Sequence, residues 1–243
     1  MKTLIKALLQ KTPYRIVRDR GRNRFDAIPR QLEQLKGSGY EPGVIIDGGA
    51  HLGTFSLEAK QLWPNAKFTL IEPQKACAEP LRVLCEREGF SLRTQALCNP
   101  DEARRGTVQM TRTDTPNTGA HVVDANMSDR CSEVPAVTLD EIFAAGSFDK
   151  SDRPLLKLDI QGYELQALRG GVKALTMIEV IIAEVSFFYS PSAADIIFEL
   201  RKSDFHFFDV ASLSGRTRDN RLCQGDLVFA RGDSPLLADR SWA

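Results

Sequence analysis

The chain has 243 residues, 42% of them hydrophobic, which is enough for the core of one large α/β domain. Its formal net charge is zero, so composition gives no reason to expect nucleic acid as a partner. No stretch approaches the about 20 apolar residues that a membrane span requires, and we expect no integral membrane contact.

The neutral total hides an uneven distribution of charge. Residues 1–36 contain ten Lys or Arg and three Asp or Glu, a net charge of +7 that leaves −7 for the remainder. We interpret residues 1–40 as an N-terminal helical arm and residues 41–243 as the main domain. The start of the chain carries Lys6 in its apolar stretch and no small-residue cleavage site, which is a poor signal peptide. Five cysteines without metal-ligand spacing agree with a reducing compartment, and we expect a cytoplasmic protein.

Strands and helices alternate along the chain. Short apolar runs predict strands over residues 44–47, 68–71, 91–97, 155–159, 179–185, 205–210 and 226–230. Amphipathic spacing predicts helices over residues 4–9, 27–36, 53–62, 75–88, 162–170 and 192–203. The continuous apolar strands indicate a doubly wound, mainly parallel sheet covered on both faces. The last two strands have no helix between them, which predicts an antiparallel edge pair.

The stretch over residues 99–133 is polar and turn-rich, and we predict an inserted loop region with one short strand at 107–110. Part of it is either a lid over the active site or an ordinary surface loop, and the sequence does not decide between them. The residues concerned are Asp114, Thr115, Asn117, Thr118 and Gly119. Thr138, three residues before Glu141, predicts a helix start with a capping box.

The segment over residues 47–53 (DGGAHLG) follows a predicted strand and precedes a helix, which is where open α/β sheets bind ligands. Asp47, Gly48, Gly49, His51 and Gly53 are therefore candidate cofactor contacts. A dinucleotide would bring its pyrophosphate beside Asp47, which is electrostatically unfavourable. S-adenosylmethionine has no phosphate and carries an ammonium and a sulfonium, which suit a carboxylate. The charge of the loop favours the methyl donor.

Two further positions support a nucleoside site. Glu72 follows the second predicted strand, where a carboxylate can accept hydrogen bonds from both ribose hydroxyls. Ala96 and Leu97 follow the third, where an adenine ring would pack between apolar side chains. A plain strand-to-helix turn and a helix-start Glu72 are the structural alternatives.

Six segments of the chain resemble the FkbM family of methyltransferases, in the family's order. They are residues 44–53 (VIIDGGAHLG), 68–73 (FTLIEP), 138–142 (TLDEI), 156–165 (LKLDIQGYEL), 181–187 (IIAEVSF) and 224–231 (QGDLVFAR). The resemblance implies a seven-stranded, Rossmann-like class I fold and methyl transfer to a hydroxyl oxygen of a small-molecule, polyketide or glycan acceptor. It also implies cofactor contacts at Asp47, Gly49 and Glu72 and an active-site position for Asp159. His51 departs from the family, in which Asn is frequent at this position.

An alcohol becomes a good nucleophile only when its proton leaves, so we expect a general base. Asp159, after the fourth strand, is the first candidate, with helix capping as its structural alternative. Glu184, in an otherwise apolar strand, is the second, and it is either paired, with Lys157 for example, or functional. A Mg²⁺ ion bound by Asp159 is possible but less favoured than a metal-free mechanism.

Two other functions remain open at this point. One is a catalytically silent cofactor-binding module, and the other is a nicotinamide-dependent oxidoreductase. The basic arm is most simply a solvated helical face, with contact to anionic acceptors or to a membrane surface as alternatives. The sequence leaves the acceptor and the oligomeric state open.

Overall fold

The computed structural model describes residues 27–111, 114–122 and 131–239. The helix predicted over residues 4–9 lies outside the described residues. Among those that are described, no helix combines the length and apolar character needed to cross a membrane.

Ten strands and seven α-helices make up the described part of the chain. The strands are β1 (Val44–Gly48), β2 (Lys67–Ile71), β3 (Ser91–Arg93), β4 (Ala96–Leu97), β5 (Thr107–Thr111), β6 (Cys131–Val137), β7 (Leu155–Leu158), β8 (Val180–Ser186), β9 (Phe205–Arg216) and β10 (Leu222–Arg231). The helices are α1 (Ala27–Gly37), α2 (Thr54–Leu62), α3 (Lys75–Glu88), α4 (Pro100–Arg105), α5 (Leu139–Gly146), α6 (Glu164–Arg169) and α7 (Ala193–Lys202). Short 3₁₀ turns occur at Lys150–Asp152, Ala174–Thr176 and Pro235–Leu237.

Seven strands form one sheet in the order β3-β2-β1-β7-β8-β10-β9. All neighbouring pairs are parallel except those of β10, which runs antiparallel to β8 and β9. The prediction of a doubly wound, mainly parallel sheet with an antiparallel edge pair is therefore confirmed. The chain order reverses between β1 and β7, and ligands of open α/β sheets bind beyond the strand ends at such a point.

The third predicted strand, residues 91–97, is not one strand. Thr94 and Gln95 separate β3, which pairs with β2, from β4, which pairs with β6 in a second sheet of order β4-β6-β5. The insert over 99–133 is therefore more ordered than the sequence analysis predicted. Alternating apolar residues of this small sheet, including Val108, Met110 and Val134, form a separate buried cluster with Ala96 and Cys98.

Helix starts follow local capping chemistry. Thr138 accepts a hydrogen bond from the Glu141 backbone N–H and Glu141 returns one, so the predicted capping box is confirmed. Asn99 and Glu102 form a second capping box at the start of α4, a helix that the sequence analysis missed. Helix α6 begins later than predicted, because Gln161 and Gly162 adopt left-handed φ angles of 57° and 93° that a helix excludes.

Two hydrophobic clusters lie on the two faces of the large sheet and account for most of the core. One combines β-strand residues with α5, α6 and α7, and the other with α1, α2 and α3. In α1, Leu32 and Leu35 are completely buried in the second cluster, and Gln34 donates a hydrogen bond from Nε2 to Oδ2 of Asp209 at 3.0 Å. The part of the predicted arm that is described thus packs on the large sheet.

Candidate active site

Asp47, near the end of β1, is completely buried and faces the protein interior. The Ser56 hydroxyl donates a hydrogen bond to its Oδ2 at 2.7 Å, and Lys157 Nζ lies 3.3 Å from its Oδ1. Asp47 does not line the cleft described below. Its carboxylate contacts Ser56 and Lys157 instead.

Lys157, on β7, connects the end of β1 with the end of β7 at the switch point. Its ammonium group donates a hydrogen bond to the Gly49 carbonyl at 2.9 Å and lies 3.7 Å from Asp159 Oδ2. Burial alone would lower the pKa of Lys157, but the carboxylates of Asp47 and Asp159 outweigh burial, and the pKa is raised above its usual value. Lys157 is therefore a permanent cation that neutralises Asp47 and holds the loop after β1.

The glycines of this loop allow two close approaches. Gly49 has a φ of +76°, and a Cβ added there would lie 2.0 Å from the Asp159 carbonyl oxygen, so the loops after β1 and β7 touch through backbone atoms. Gly53 has a φ of +82°, and its Cβ would lie 2.3 Å from the Leu84 side chain. Gly48 fits between Leu97 and Leu158. Gly49 lines the cleft described below, whereas Gly48 and Gly53 do not and instead pack against leucine side chains.

A cleft of about 620 Å³, which we call the cofactor cleft, opens beyond the carboxyl ends of the strands at the switch point. Six of the candidate cofactor and catalytic residues line it: Gly49, His51, Glu72, Ala96, Leu97 and Asp159. Four segments that are far apart in sequence are thus brought together at one edge of the sheet.

Glu72 is almost completely buried at the wall of this cleft. Its Oε2 accepts a hydrogen bond from the His51 backbone N–H at 2.8 Å, and its Oε1 accepts one from the Gln74 backbone N–H at 2.9 Å. A carboxylate offers about four lone-pair sites, so two acceptor sites stay available for ligand hydroxyls. The backbone bonds fix the orientation of the carboxylate without using up its acceptor capacity.

His51 also faces the cleft. It has a left-handed φ of 48°, a conformation that costs free energy in a non-glycine residue, and its buried Nε2 atom has no hydrogen-bond partner within the described part of the chain. Leaving a buried polar nitrogen unpaired is also unfavourable. A ligand that bonds to His51 Nε2 would satisfy the unpaired nitrogen, whereas the left-handed φ belongs to the turn after β1.

The lining of the cofactor cleft contains carboxylates but no Lys or Arg among the described residues. Glu72 and Asp159 contribute the carboxylates, and His51 and His121 contribute imidazoles. Such a cleft suits a ligand with cationic groups and disfavours a pyrophosphate, which needs basic side chains or free helix N–H groups.

The insert covers this cleft. Thr118, Ala120, His121 and Val122 line it, and the Asn117 backbone N–H donates a hydrogen bond to Oε1 of Gln74 at 3.1 Å. Of the five residues that we interpreted as a lid or a surface loop, Thr118 lines the cleft, and all five are exposed, so both interpretations stay open. Whether the segment opens and closes stays a prediction.

Asp159 and Glu184 are joined by one side chain. The amide nitrogen of Gln161 donates hydrogen bonds to Asp159 Oδ1 at 2.8 Å and to Glu184 Oε2 at 3.0 Å, and Gln224 Nε2 lies 2.5 Å from Glu184 Oε1. Pairing of Glu184 with Lys157, one of our sequence-based alternatives, is wrong, because two glutamines occupy the carboxyl group instead. Burial, together with the nearby carboxylates of Asp159 and Asp226, raises the pKa of Glu184 to about 8.

Asp159 does not cap helix α6. The residue before that helix, Tyr163, has no side-chain capping bond, and the N–H groups of Ile160 and Gly162 donate instead to Oε1 of Glu164, at 2.8 and 3.2 Å. Glu164 is almost completely buried, and burial raises its pKa to about 7. Glu164 therefore organises the turn, which leaves the Asp159 carboxylate at the cleft.

Sequence reasoning missed Gln161 and Gln224 as members of the site. Both lie inside segments that carried the family resemblance, residues 156–165 and 224–231, but a glutamine has no ionisable group to draw attention. Within the described ranges, no group of three or more His, Cys, Asp or Glu side chains is placed to hold a metal ion.

A family model for the methyltransferase FkbM domain matches residues 47–207, well over half of the chain. The protein belongs to the FkbM methyltransferase family. The family is one of methyltransferases, and this chain has a class I, Rossmann-like fold; the FkbM match covers every strand from the end of β1 to the start of β9. A search among curated proteins gave no match.

Solved structures similar to this FkbM chain include three methyltransferases. An FkbM methyltransferase from Methylobacillus flagellatus is 15% identical, with 76% of this chain and 43% of that chain covered and a TM-score of 0.49. A precorrin-6y C5,15-methyltransferase from Geobacter metallireducens is 12% identical, with 84% and 88% covered and a TM-score of 0.44. A putative RNA methyltransferase from Pyrococcus horikoshii is 13% identical, with 96% and 97% covered and a TM-score of 0.45. This chain thus spans less than half the length of the first of these structures.

Proposed function

We propose that the protein transfers a methyl group from S-adenosylmethionine to a hydroxyl oxygen of a small-molecule, polyketide or glycan acceptor. The observation that carries the proposal is the charge of the cofactor cleft. Carboxylates of Glu72 and Asp159 line it, and Lys and Arg do not occur among its described lining residues. A sulfonium-bearing nucleoside suits this environment, whereas the pyrophosphate of a nicotinamide dinucleotide does not.

The lining residues fit the parts of S-adenosylmethionine. Glu72 keeps acceptor capacity for the two ribose hydroxyls, and Ala96 and Leu97 supply apolar contacts for the adenine. His51 has a buried nitrogen that lacks a partner. When bound, the cofactor supplies an electrophilic methyl group. The residues of the chain must then orient the acceptor and take up its proton.

Positioning accounts for much of the rate in such a reaction. Well-oriented reactants gain on the order of 7–11 kcal/mol over the bimolecular reaction. Here the Lys157 ammonium, the Gly49 carbonyl and the backbone contact between Gly49 and Asp159 fix the two loops that border the cleft. In this proposal, Lys157 and Asp47 are positioning residues, and they need not touch the cofactor.

Asp159 and Glu184 are the two candidate bases for the acceptor hydroxyl. Asp159 lines the cofactor cleft and is about one-third exposed, so it is within reach of an acceptor oxygen. Glu184 is more buried, and its pKa of about 8 suits a base that takes up a proton near neutral pH. Gln161 bridges both carboxyl groups, so a proton taken up by one of them alters the charge next to the other.

The decisive experiment follows the methyl group itself. The protein is incubated with S-adenosylmethionine carrying a ¹³C methyl group and with a panel of sugar and polyketide alcohols, and NMR identifies the atom that receives the label. We expect a labelled methoxy group, and transfer that is strongly reduced in Asp159→Asn but normal in the control Asp101→Asn, which alters an exposed aspartate of α4. Label on nitrogen or carbon would contradict O-methylation. Cofactor binding with no transfer to any acceptor would favour the silent-module alternative.

A further inference from the structure

One wall of the cofactor cleft belongs to the small sheet rather than to the large one. Ala96 and Leu97 of β4 line the cleft, and β4 pairs with β6 in the small sheet. Met110, Ala120 and Val122, which also line the cleft, pack in or against the apolar cluster of the small sheet. The width of the cleft on this side therefore depends on how the small sheet is held against the large one.

Helix α6 and the turn before it form a contact surface for the start of the insert. The side-chain amide of Asn99, at the start of α4, donates a hydrogen bond to Oε1 of Gln166 at 3.0 Å. Gly170, just after α6, lies directly against the backbone after β4, since a Cβ added there would lie 2.1 Å from the Cys98 carbonyl oxygen. The turn before α6 also carries the candidate base Asp159, so one segment borders both the reaction site and the insert.

Tyr163, the last residue of that turn, contacts both the cofactor cleft and the insert. Its side chain lines the cleft and packs against the apolar cluster of the small sheet. Its hydroxyl donates a hydrogen bond to Oε1 of Glu102 in α4. The aromatic ring thus fills the junction between the two sheets, and the hydroxyl links the turn to α4.

Glu102 provides a fixed acceptor for this bond. It is almost completely buried, and its Oε2 accepts a hydrogen bond from the Asn99 backbone N–H at 3.1 Å, within the capping box of α4. Burying a carboxylate is costly unless hydrogen bonds satisfy it, and the exposed Arg105 side chain lies 3.8 Å from its Oε1. The Tyr163 hydroxyl therefore supplies a strong, directional bond to a carboxylate that needs one.

We propose that Tyr163 is a positioning residue for cofactor binding: its bond to Glu102 holds the small sheet against the large sheet and so sets the fit of the cleft around the nucleoside. This inference rests on the proposed binding of S-adenosylmethionine and assigns a residue to its nucleoside part. The chemical step stays with the candidate bases Asp159 and Glu184. If Tyr163 only filled space, Phe would replace it without loss, because Phe keeps the ring and lacks only the hydroxyl.

Calorimetry with two ligands separates the nucleoside side of the cleft from the turn that carries Asp159. S-adenosylhomocysteine and methylthioadenosine share the adenosine, but the second lacks the amino-acid part. We expect Tyr163→Phe to weaken the binding of both by the same factor, about 5-fold to 10-fold, because the wall that it holds faces the shared part. Tyr40→Phe is the matched control: it removes a hydroxyl that donates to the Arg153 carbonyl at 2.9 Å, outside the lining of the cleft, and should leave both affinities unchanged.

A double-variant cycle and hydrogen exchange test the bond itself. Glu102→Ala removes the partner of the Tyr163 hydroxyl, so Tyr163→Phe should cause no further loss of affinity in that background. In the ligand-free protein, hydrogen–deuterium exchange of the backbone amides of β5 and β6 should be faster in Tyr163→Phe than in the wild type, while exchange in β1 and β8 stays the same. A general loss of stability would instead accelerate exchange in all strands.

The results distinguish this inference from the proposed function. Absence of S-adenosylhomocysteine binding to the wild type would contradict the proposed function, whereas exchange in β5 and β6 is measured without ligand and tests the junction in either case. With normal wild-type binding, unchanged affinities in Tyr163→Phe would overturn the inference. Loss of S-adenosylhomocysteine binding alone, additive effects in the cycle, or equal acceleration of exchange in all strands would do the same.

Discussion

Replacing Lys157 by Met tests the physical basis of the site. The substitution keeps the volume of the side chain but removes its charge. Among the described residues, Lys157 is the only cation that pairs with the completely buried carboxylate of Asp47. Removing one partner of a buried ion pair typically costs about 3–5 kcal/mol. For a domain of this size, each kcal/mol lowers Tm by about 2–4 °C, so we expect a decrease of about 6–20 °C.

The assay is urea unfolding of matched variants, followed by circular dichroism. Lys60→Met is the control, because Lys60 pairs with Glu88 at 2.8 Å in a partly exposed position, where an ion pair contributes about 0–1 kcal/mol. Asp47→Asn and the double variant Asp47→Asn/Lys157→Met complete a thermodynamic cycle. We expect the double variant to be clearly more stable than the sum of the two single changes predicts.

A Lys157→Met variant as stable as Lys60→Met would refute this reasoning. So would strict additivity in the cycle, because it would show that the two charges do not interact. In either case Asp47 would no longer be a residue that acts through Lys157, and a direct contact with the cofactor would have to be reconsidered.

Three further changes have defined expected outcomes. Gly49→Ala should abolish cofactor binding and lower stability, because its Cβ would lie 2.0 Å from the Asp159 carbonyl oxygen. The control is Gly37→Ala, where no atom lies within 4 Å of the new Cβ. It should leave cofactor binding, measured by calorimetry, and stability, measured by thermal unfolding, almost unchanged. Glu184 has a folded-state pKa raised from 4.5 to about 8, so its contribution to stability is fully present below about pH 4.5 and is lost as the pH rises to about 8. Glu184→Gln should therefore gain stability relative to the wild type over that range in urea titrations at several pH values, and a constant difference would contradict the shifted pKa. Thr138→Ala should cost about 1 kcal/mol in the same assay by removing the capping box of α5, and an unchanged midpoint would contradict the role of that bond.

The large sheet could be predicted from sequence because its strands are buried on both faces. Continuous apolar runs such as those of β1 and β8 stand out between Gly, Pro and polar residues, and the helices between them carry amphipathic spacing. In the small sheet, the strand predicted at 107–110 is confirmed as β5, but β6 and the separation of β4 from β3 were missed, because β4 has two residues and β6 alternates buried and exposed positions around Pro135. Its pairing depends on contacts between distant segments, which local periodicity does not reveal.

The cofactor cleft was predictable in outline because ligands bind at the carboxyl ends of strands near the switch point. That rule brought Gly49, Glu72 and Asp159 to attention, and all three line the cleft. The orientation of Asp47 was not predictable, because burying its carboxylate requires Lys157 from a neighbouring strand. The two glutamines that bind Glu184 were missed for a similar reason, since they approach it from β10 and from the loop after β7.

Titration of S-adenosylmethionine and S-adenosylhomocysteine into the protein by calorimetry tests the central claim most directly. The matched variants are Glu72→Gln, in the wall of the cofactor cleft, and Glu79→Gln, at an exposed position on α3. We expect both ligands to bind to the wild type and to Glu79→Gln. Glu72→Gln should bind roughly 10-fold to 100-fold more weakly, because hydrogen bonds to a charged group contribute about 1.5–3 kcal/mol. Absence of binding at millimolar ligand, or equal affinity in the two variants, would contradict the account.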